Sequence, residues 1–96
     1  MKNQIFWSPK AEESYLKTLE FILEKWTIKE AENFQTKVDG LLMKLEMYDS
    51  LCPPSISHPK MRKCVVSEQT SMIYRIVEEN IIEIVAFIDN RSLHAY

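Results

Sequence analysis

Residues 61–91 read MRKCVVSEQTSMIYRIVEENIIEIVAFIDNR, and their reading decides the fold. Two short polar clusters, Ser67-Glu68-Gln69-Thr70 and Glu78-Glu79-Asn80, separate three runs rich in Val, Ile, Tyr and Phe. Such runs between turn residues predict consecutive strands joined by hairpins, because β-branched and aromatic side chains suit a pleated surface. The run from Ile81 to Ile88 carries one charge, Glu83. A strand so apolar is expected near the middle of the sheet, covered on both faces. It delivers Asp89, Asn90 and Arg91 to the sheet edge, ahead of a tail from Ser92 to Tyr96. Any chemistry is expected there.

Those strands need a cover, and the preceding residues supply one. Gln4-Ile5-Phe6-Trp7 predicts a short aromatic strand. Ser8-Pro9 then starts a helix, with Ser as N-cap and Pro at the first helical position, where its missing N–H is harmless. Ala11, Tyr15, Leu16, Leu19, Ile22, Leu23 and Trp26 define its apolar stripe. Glu13 and Lys17 are spaced for a pair on the outer side. Thr27-Ile28-Lys29-Glu30 fits a capping box and starts a second helix almost at once. Its stripe is Ala31, Phe34, Val38, Leu41, Leu42, Leu45 and Tyr48, with Gly40 inside it for close packing. So short a connection predicts a helical hairpin whose stripes are covered by the strands. Residues 49–59, with Pro53, Pro54 and Pro59, form a loop between the helices and the sheet. The expected fold is α+β, in the order β-α-α-β-β-β. The helical hairpin packs on one face of a small, largely antiparallel sheet, in one domain over residues 1–96.

Composition narrows the functional classes. The 96 residues suffice for one modest core, and the net charge of -2 argues against strong non-specific nucleic-acid binding. The Lys60-Met61-Arg62-Lys63 segment is nonetheless locally basic. No stretch approaches the length needed to span a bilayer, and the start lacks an apolar signal region, so the expected location is the cytoplasm. Cys52 and Cys64 lack metal-site spacing and are expected as two reduced thiols, with Cys64 packed in a strand. His58 and His94 stand apart from other ligand types, so no metal is expected. One glycine in the whole chain nearly excludes a phosphate-cradling loop, and no cofactor is expected.

The constellation with chemical content is Lys60, Arg62, Lys63, Arg75, Arg91, His94 and Tyr96. Cleavage of RNA by its own 2′-hydroxyl needs a base, an acid, and cations for the charge of the phosphorane. A cationic sheet edge beside a His-Tyr tail has these types. Solvated edge charges are the plainer reading of the same residues.

The chain resembles the RelE/ParE superfamily of bacterial toxins over nearly its whole length. The resemblance rests on element order and on four stretches: FWSPKAEESYLKTLEFI at 6–22, MRKCVVSEQTSMIYRI at 61–76, VEENII at 77–82 and IVAFIDNR at 84–91. It implies the toxin of a type II toxin–antitoxin module, of the kind that stabilises plasmids. A small cognate antitoxin would bind exposed apolar surface as a helix in a groove or a strand added to an edge. A homodimer or a toxin–antitoxin hetero-oligomer is the implied assembly, with no membrane partner. RelE-like members cleave messenger RNA on the ribosome, whereas ParE-like members inhibit DNA gyrase without nuclease chemistry. In a nuclease of this kind, Arg62 would bind phosphate, Arg91 would stabilise the transition state, and His94 or Tyr96 would move the proton. Lys60, Lys63 and Arg75 would be target-binding cations. However, Cys64 and Ser71 stand where the RelE-like pattern wants two further cations, and Asp89-Asn90-Arg91 looks like the ParE-type ending. The expectation is therefore a ParE-like toxin acting by binding. The alternatives are a ribosome-dependent endoribonuclease and an inactive member that keeps only antitoxin binding.

Overall fold

The structure, a computed structural model, describes residues 2–91. Its elements are β1 (Gln4–Trp7), α1 (Pro9–Lys25), α2 (Ile28–Leu45), β2 (Arg62–Val65), β3 (Thr70–Glu78) and β4 (Ile81–Asp89). The sheet runs β1-β4-β3-β2; β1 lies parallel to β4, and the other neighbours are antiparallel. Both helices pack on one face, as the sequence implies.

The local signals act where they were read. The Ser8 hydroxyl accepts from the Ala11 N–H at 2.9 Å, and Thr27 Oγ1 accepts from the Glu30 N–H at 3.2 Å. Each satisfies a donor that the first helical turn leaves without a partner. Glu13 and Lys17 pair at 2.8 Å. Glu79 and Asn80 link β3 to β4, and Asn80 takes φ 63, a conformation that asparagine tolerates well.

The core lies between the helices and β4-β3. Ile82, Ile84 and Phe87 point into it from β4, with Met72 and Tyr74 from β3 and Phe34, Val38 and Leu45 from α2. Tyr15 joins the layers: its ring lies 5.2 Å from Trp7, 5.8 Å from Phe34 and 5.1 Å from Phe87. Fully burying side chains of this size is worth about 1.5–3 kcal/mol each.

Four expectations are corrected. β4 is central, but it is not covered on both faces; no helix among the described residues lies on the second face. There Ile81, Glu83, Val85 and Ile88 are half-buried, while Ala86 is buried opposite the buried Ile73 of β3. The stripes are narrower than the spacing suggests. Leu16, Leu23 and Trp26 of the first stripe are exposed, as is Tyr48. A sheet with two nine-residue strands flanked by two of only four residues is too narrow to shield the flanks of both helices. Gly40 is not at a close contact, since a Cβ added there meets nothing within 4 Å. Finally, Cys52 and Cys64 are not free thiols. They form a disulfide with Cα atoms 5.3 Å apart. The proline-bearing loop folds back along β2: the Ser55 N–H donates to the Met61 carbonyl (2.8 Å) and the Lys63 N–H to the Pro53 carbonyl (3.1 Å). That return carries Cys52 to Cys64, a closure that sequence spacing alone does not reveal.

Two register shifts interrupt the β3–β4 pairing, at Ile73/Tyr74 and at Ile76/Glu78, and the first shapes the sheet edge. Ile73 pairs with Ala86 and Tyr74 with Ile84, so Val85 has no partner in β3. β1 has ended at Trp7, opposite Ile84. The bared edge of β4 is taken over by α1: Ser8 Oγ donates to the Val85 carbonyl at 2.8 Å, and the Phe87 N–H donates to Ser14 Oγ at 2.9 Å. The same serine therefore caps a helix and closes a strand edge.

Candidate functional site

The cations singled out in the sequence fall into three separate places. Arg62 opens β2 opposite Tyr74, whose ring is in the core. Its guanidinium turns toward the proline-bearing loop, and Nη1 donates to the Cys52 carbonyl at 2.6 Å. Tyr74 is fully buried; its hydroxyl donates to the Asp49 carbonyl at 2.8 Å and accepts from the Cys52 N–H at 3.2 Å. Burial raises the Tyr74 pKa, opposed by the hydrogen bond from the Cys52 backbone and by the Arg62 charge. Arg62 is thus a strut of the loop.

Lys63 and Arg75 occupy the sheet face that carries no helix. Lys63 stands opposite Ile73, and Arg75 lies two residues further along β3 on the same face. Arg75 Nε is 2.6 Å from Glu83 Oε1 on β4. Lys60 lies before β2 in the turn and is exposed.

Arg91 follows β4 at the far end of the sheet. Its backbone N–H and Nε both donate to Asp89 Oδ1, at 2.8 and 3.2 Å, while Nη2 donates to Oδ2 at 2.9 Å. The Arg91 side-chain and backbone donors hold the Asp89 carboxyl below its usual range, and the carboxylate raises the Arg91 pKa in return. A cleft of about 270 Å³ opens beside this pair, between α1 and the ends of β3 and β4, lined by Lys17, Thr18, Phe21 and Gln69 among others. His94 and Tyr96 lie outside the described residues.

The register separates the two arginines. Arg62 is paired at Tyr74, whereas Asp89, just before Arg91, is paired at Thr70. Four residues along one strand is roughly 13 Å, before crossing from β2 to β4 adds about two strand spacings. The positions short of a cation are also engaged. Cys64 is in the disulfide; Ser71 is fully buried and donates to Asn90 Oδ1. In the sequence Asn90 stands out only as part of the Asp89-Asn90-Arg91 ending. It is the residue that holds this end together, and its position after a strand and opposite a polar turn was the available signal. Among the described residues, no group of three or more His, Cys, Asp or Glu is placed to hold a metal ion, and no helix is long and apolar enough to cross a membrane.

Known structures share this architecture at low sequence identity. The chromosomal ParDE toxin–antitoxin system of P. aeruginosa contains a chain that superposes with a TM-score of 0.73 at 12% identity, covering 92% of this chain and 96% of that one. YafQ of E. coli superposes at 0.61 and 15% identity, covering 96% and 98%. A conserved hypothetical protein of Helicobacter pylori gives 0.59 and 12%, covering 96% and 99%. At these identities the likeness concerns the fold. No curated relative matches the sequence closely. The sequence profile of the ParE toxin of type II toxin–antitoxin systems, parDE, matches residues 5–93. Its span runs from β1 through the end of the sheet, and on that match the chain belongs to the ParE toxin family.

Proposed function

We propose that this chain is the toxin of a type II toxin–antitoxin pair, and that it arrests growth by binding a macromolecular target such as DNA gyrase rather than by cutting RNA. The observation that carries this reading is the dispersal of its cations. Arg62 stands opposite Tyr74, midway along β3, and is tied to the Cys52 carbonyl, whereas Arg91 is matched by Asp89 beyond the end of β4, four residues away in register and two strands across. In-line cleavage of RNA needs its base, acid and cations around one phosphate, within hydrogen-bond reach. A binding surface has no such requirement. The antitoxin partner follows from the family and from the apolar surface left uncovered on the helices and at their C-terminal ends, which includes Leu16, Leu23, Trp26, Ile28, Met43 and Met47. Toxin and antitoxin form a hetero-oligomer in the cytoplasm, where such targets lie, and one toxin domain suffices.

The test is inducible expression in a bacterium, with DNA supercoiling and mRNA integrity read from the same culture. Growth arrest with altered supercoiling and intact mRNA is expected. Messages cut inside translated codons overturn the reading in favour of a ribosome-dependent endoribonuclease. Normal growth, with binding to an antitoxin encoded beside the gene, identifies an inactive family member instead.

A further inference from the structure

We propose that Cys52 and Cys64 form a redox-controlled latch that holds the arm of residues 49–61 over the outer edge of β2 and withholds Arg62 from solvent partners until a dithiol reductant opens it. β2 is one of the two edge strands of the sheet. The arm covers that edge through the Lys63 N–H, which donates to the Pro53 carbonyl, and through the Pro54–Arg62 bridge, and it closes on itself where the Ser55 N–H donates to the Met61 carbonyl. Its other side-chain ties gather at residues 49–52, beside the crosslink: the Tyr74 hydroxyl donates to the Asp49 carbonyl and accepts from the Cys52 N–H, and Arg62 donates to the Cys52 carbonyl. Pro53, Pro54 and Pro59 have no N–H to contribute, Ile56 is fully exposed, and the Ser55 hydroxyl is buried without a hydrogen-bond partner. The arm reaches the core mainly at Leu51 and Cys52, next to the crosslink. A segment with few buried apolar contacts and few backbone bonds opens at low free energy unless something covalent holds it.

The same crosslink controls Arg62. The carbonyl that accepts from Arg62 Nη1 belongs to Cys52, and the N–H of Cys52 donates to the Tyr74 hydroxyl. Once the arm leaves, both contacts go, and the guanidinium is free to meet an anionic partner. The outer edge of β2 becomes available for pairing at the same time.

The step balances as thiol–disulfide exchange. A thiolate of the reductant bonds to Cys52 Sγ, the S–S bond breaks, and Cys64 leaves as a thiolate that takes up a proton. The second thiol of the reductant then displaces Cys52. Two protein thiols and one disulfide in the reductant result. Cys52 is the more accessible cysteine, at 9% exposure against 2% for Cys64. The latch is independent of which target the toxin binds, so its test does not use toxicity.

The test is hydrogen exchange by mass spectrometry on the full chain, treated with oxidised glutathione and then with or without dithiothreitol. Alkylation should find no free thiol before reduction and two after it. Reduction should speed exchange at the Cys52, Ser55 and Lys63 amides at least tenfold, while Ile82 and Ile84 keep their protection. Cys52→Ser, which leaves the core thiol in place, should show the fast arm without reductant and no response to it. Two free thiols after oxidation, an arm equally protected after verified reduction, or loss of β4 protection together with the arm would each overturn the latch.

Discussion

Ser71 Oγ donates to Asn90 Oδ1 at 2.5 Å, across the end of the sheet where β3 begins and β4 finishes. The Asn90 amide nitrogen donates onward to the carbonyls of Ser67 and Glu68, and its backbone N–H donates to the Gln69 carbonyl. One side chain therefore ties the β2–β3 turn to the residue before Arg91. Asn90→Ala leaves the buried Ser71 hydroxyl and two carbonyls without their partner. The expected loss is about 1–3 kcal/mol, read as a lower denaturant midpoint with an unchanged m-value. Ser71→Arg, which restores a cation at the RelE-like position, should destabilise more, because its charge enters a fully buried site. It should bring no RNA cleavage.

Ser8 and Ser14 close the β4 edge where β1 stops. Ser8→Ala removes both the cap of α1 and the donor to the Val85 carbonyl, an expected loss of about 2 kcal/mol. Ser14→Ala leaves the Phe87 N–H without its acceptor and should lose about 1 kcal/mol or more. Thermal unfolding of both variants checks this. Equal stability to the parent would mean that water replaces the serines at this edge.

Tyr74 predicts a pH response. Its folded pKa is raised by burial above the ordinary value of 10.0, so the folded state keeps its proton longer than the unfolded chain. The corresponding stability is fully present below about pH 10 and is lost as pH rises through the folded pKa. Tyr74→Phe should lose about 1–2 kcal/mol at neutral pH through the Asp49 and Cys52 contacts, and should flatten the alkaline decline. Unfolding midpoints at neutral pH and above pH 10 measure both effects.

Gly40 offers a stabilising change. It lies inside α2 with a helix-compatible φ, and an added Cβ meets open space. Gly40→Ala should therefore stabilise by about 1 kcal/mol, corresponding to an increase in Tm of roughly 4–8 °C for a domain this small. A fall in Tm would show that the α2 surface is occupied in a way the chain alone does not reveal.

Arg75 and Glu83 make a close pair on a half-open face, yet exposed pairs are screened by solvent and contribute little. A double-mutant cycle with Arg75→Met and Glu83→Gln should give a coupling below about 1 kcal/mol. Loss of antitoxin or target binding by Arg75→Met without loss of stability would assign the residue to an interface.

The order of elements was legible along the chain because each signal is local. Ser8-Pro9 and Thr27 start helices through their own first turns, and Asn80 turns a hairpin through its own φ. Stripes at helical spacing and apolar runs told which elements need each other. Much of the site was not legible, since its members meet only across the sheet. Cys52 and Cys64 are 12 residues apart, and their crosslink depends on the loop returning along β2. The engagement of Arg62 by a carbonyl, of Arg91 by Asp89, and of Ser71 by Asn90 follows from strand register. The family resemblance placed Arg62 and Arg91 in one pattern; strand register sets Arg62 beside Tyr74, midway along β3, and Arg91 beyond the Asp89–Thr70 pair at the end of the sheet. What the sequence determined by itself was the list of elements, the two helix caps and the family resemblance, because those rest on neighbours in the chain. Only the tertiary structure decided which cations stand together, which thiols join, and which helix residues stay in solvent, because contacts between distant segments depend on the pairing of strands and the width of the sheet that covers them.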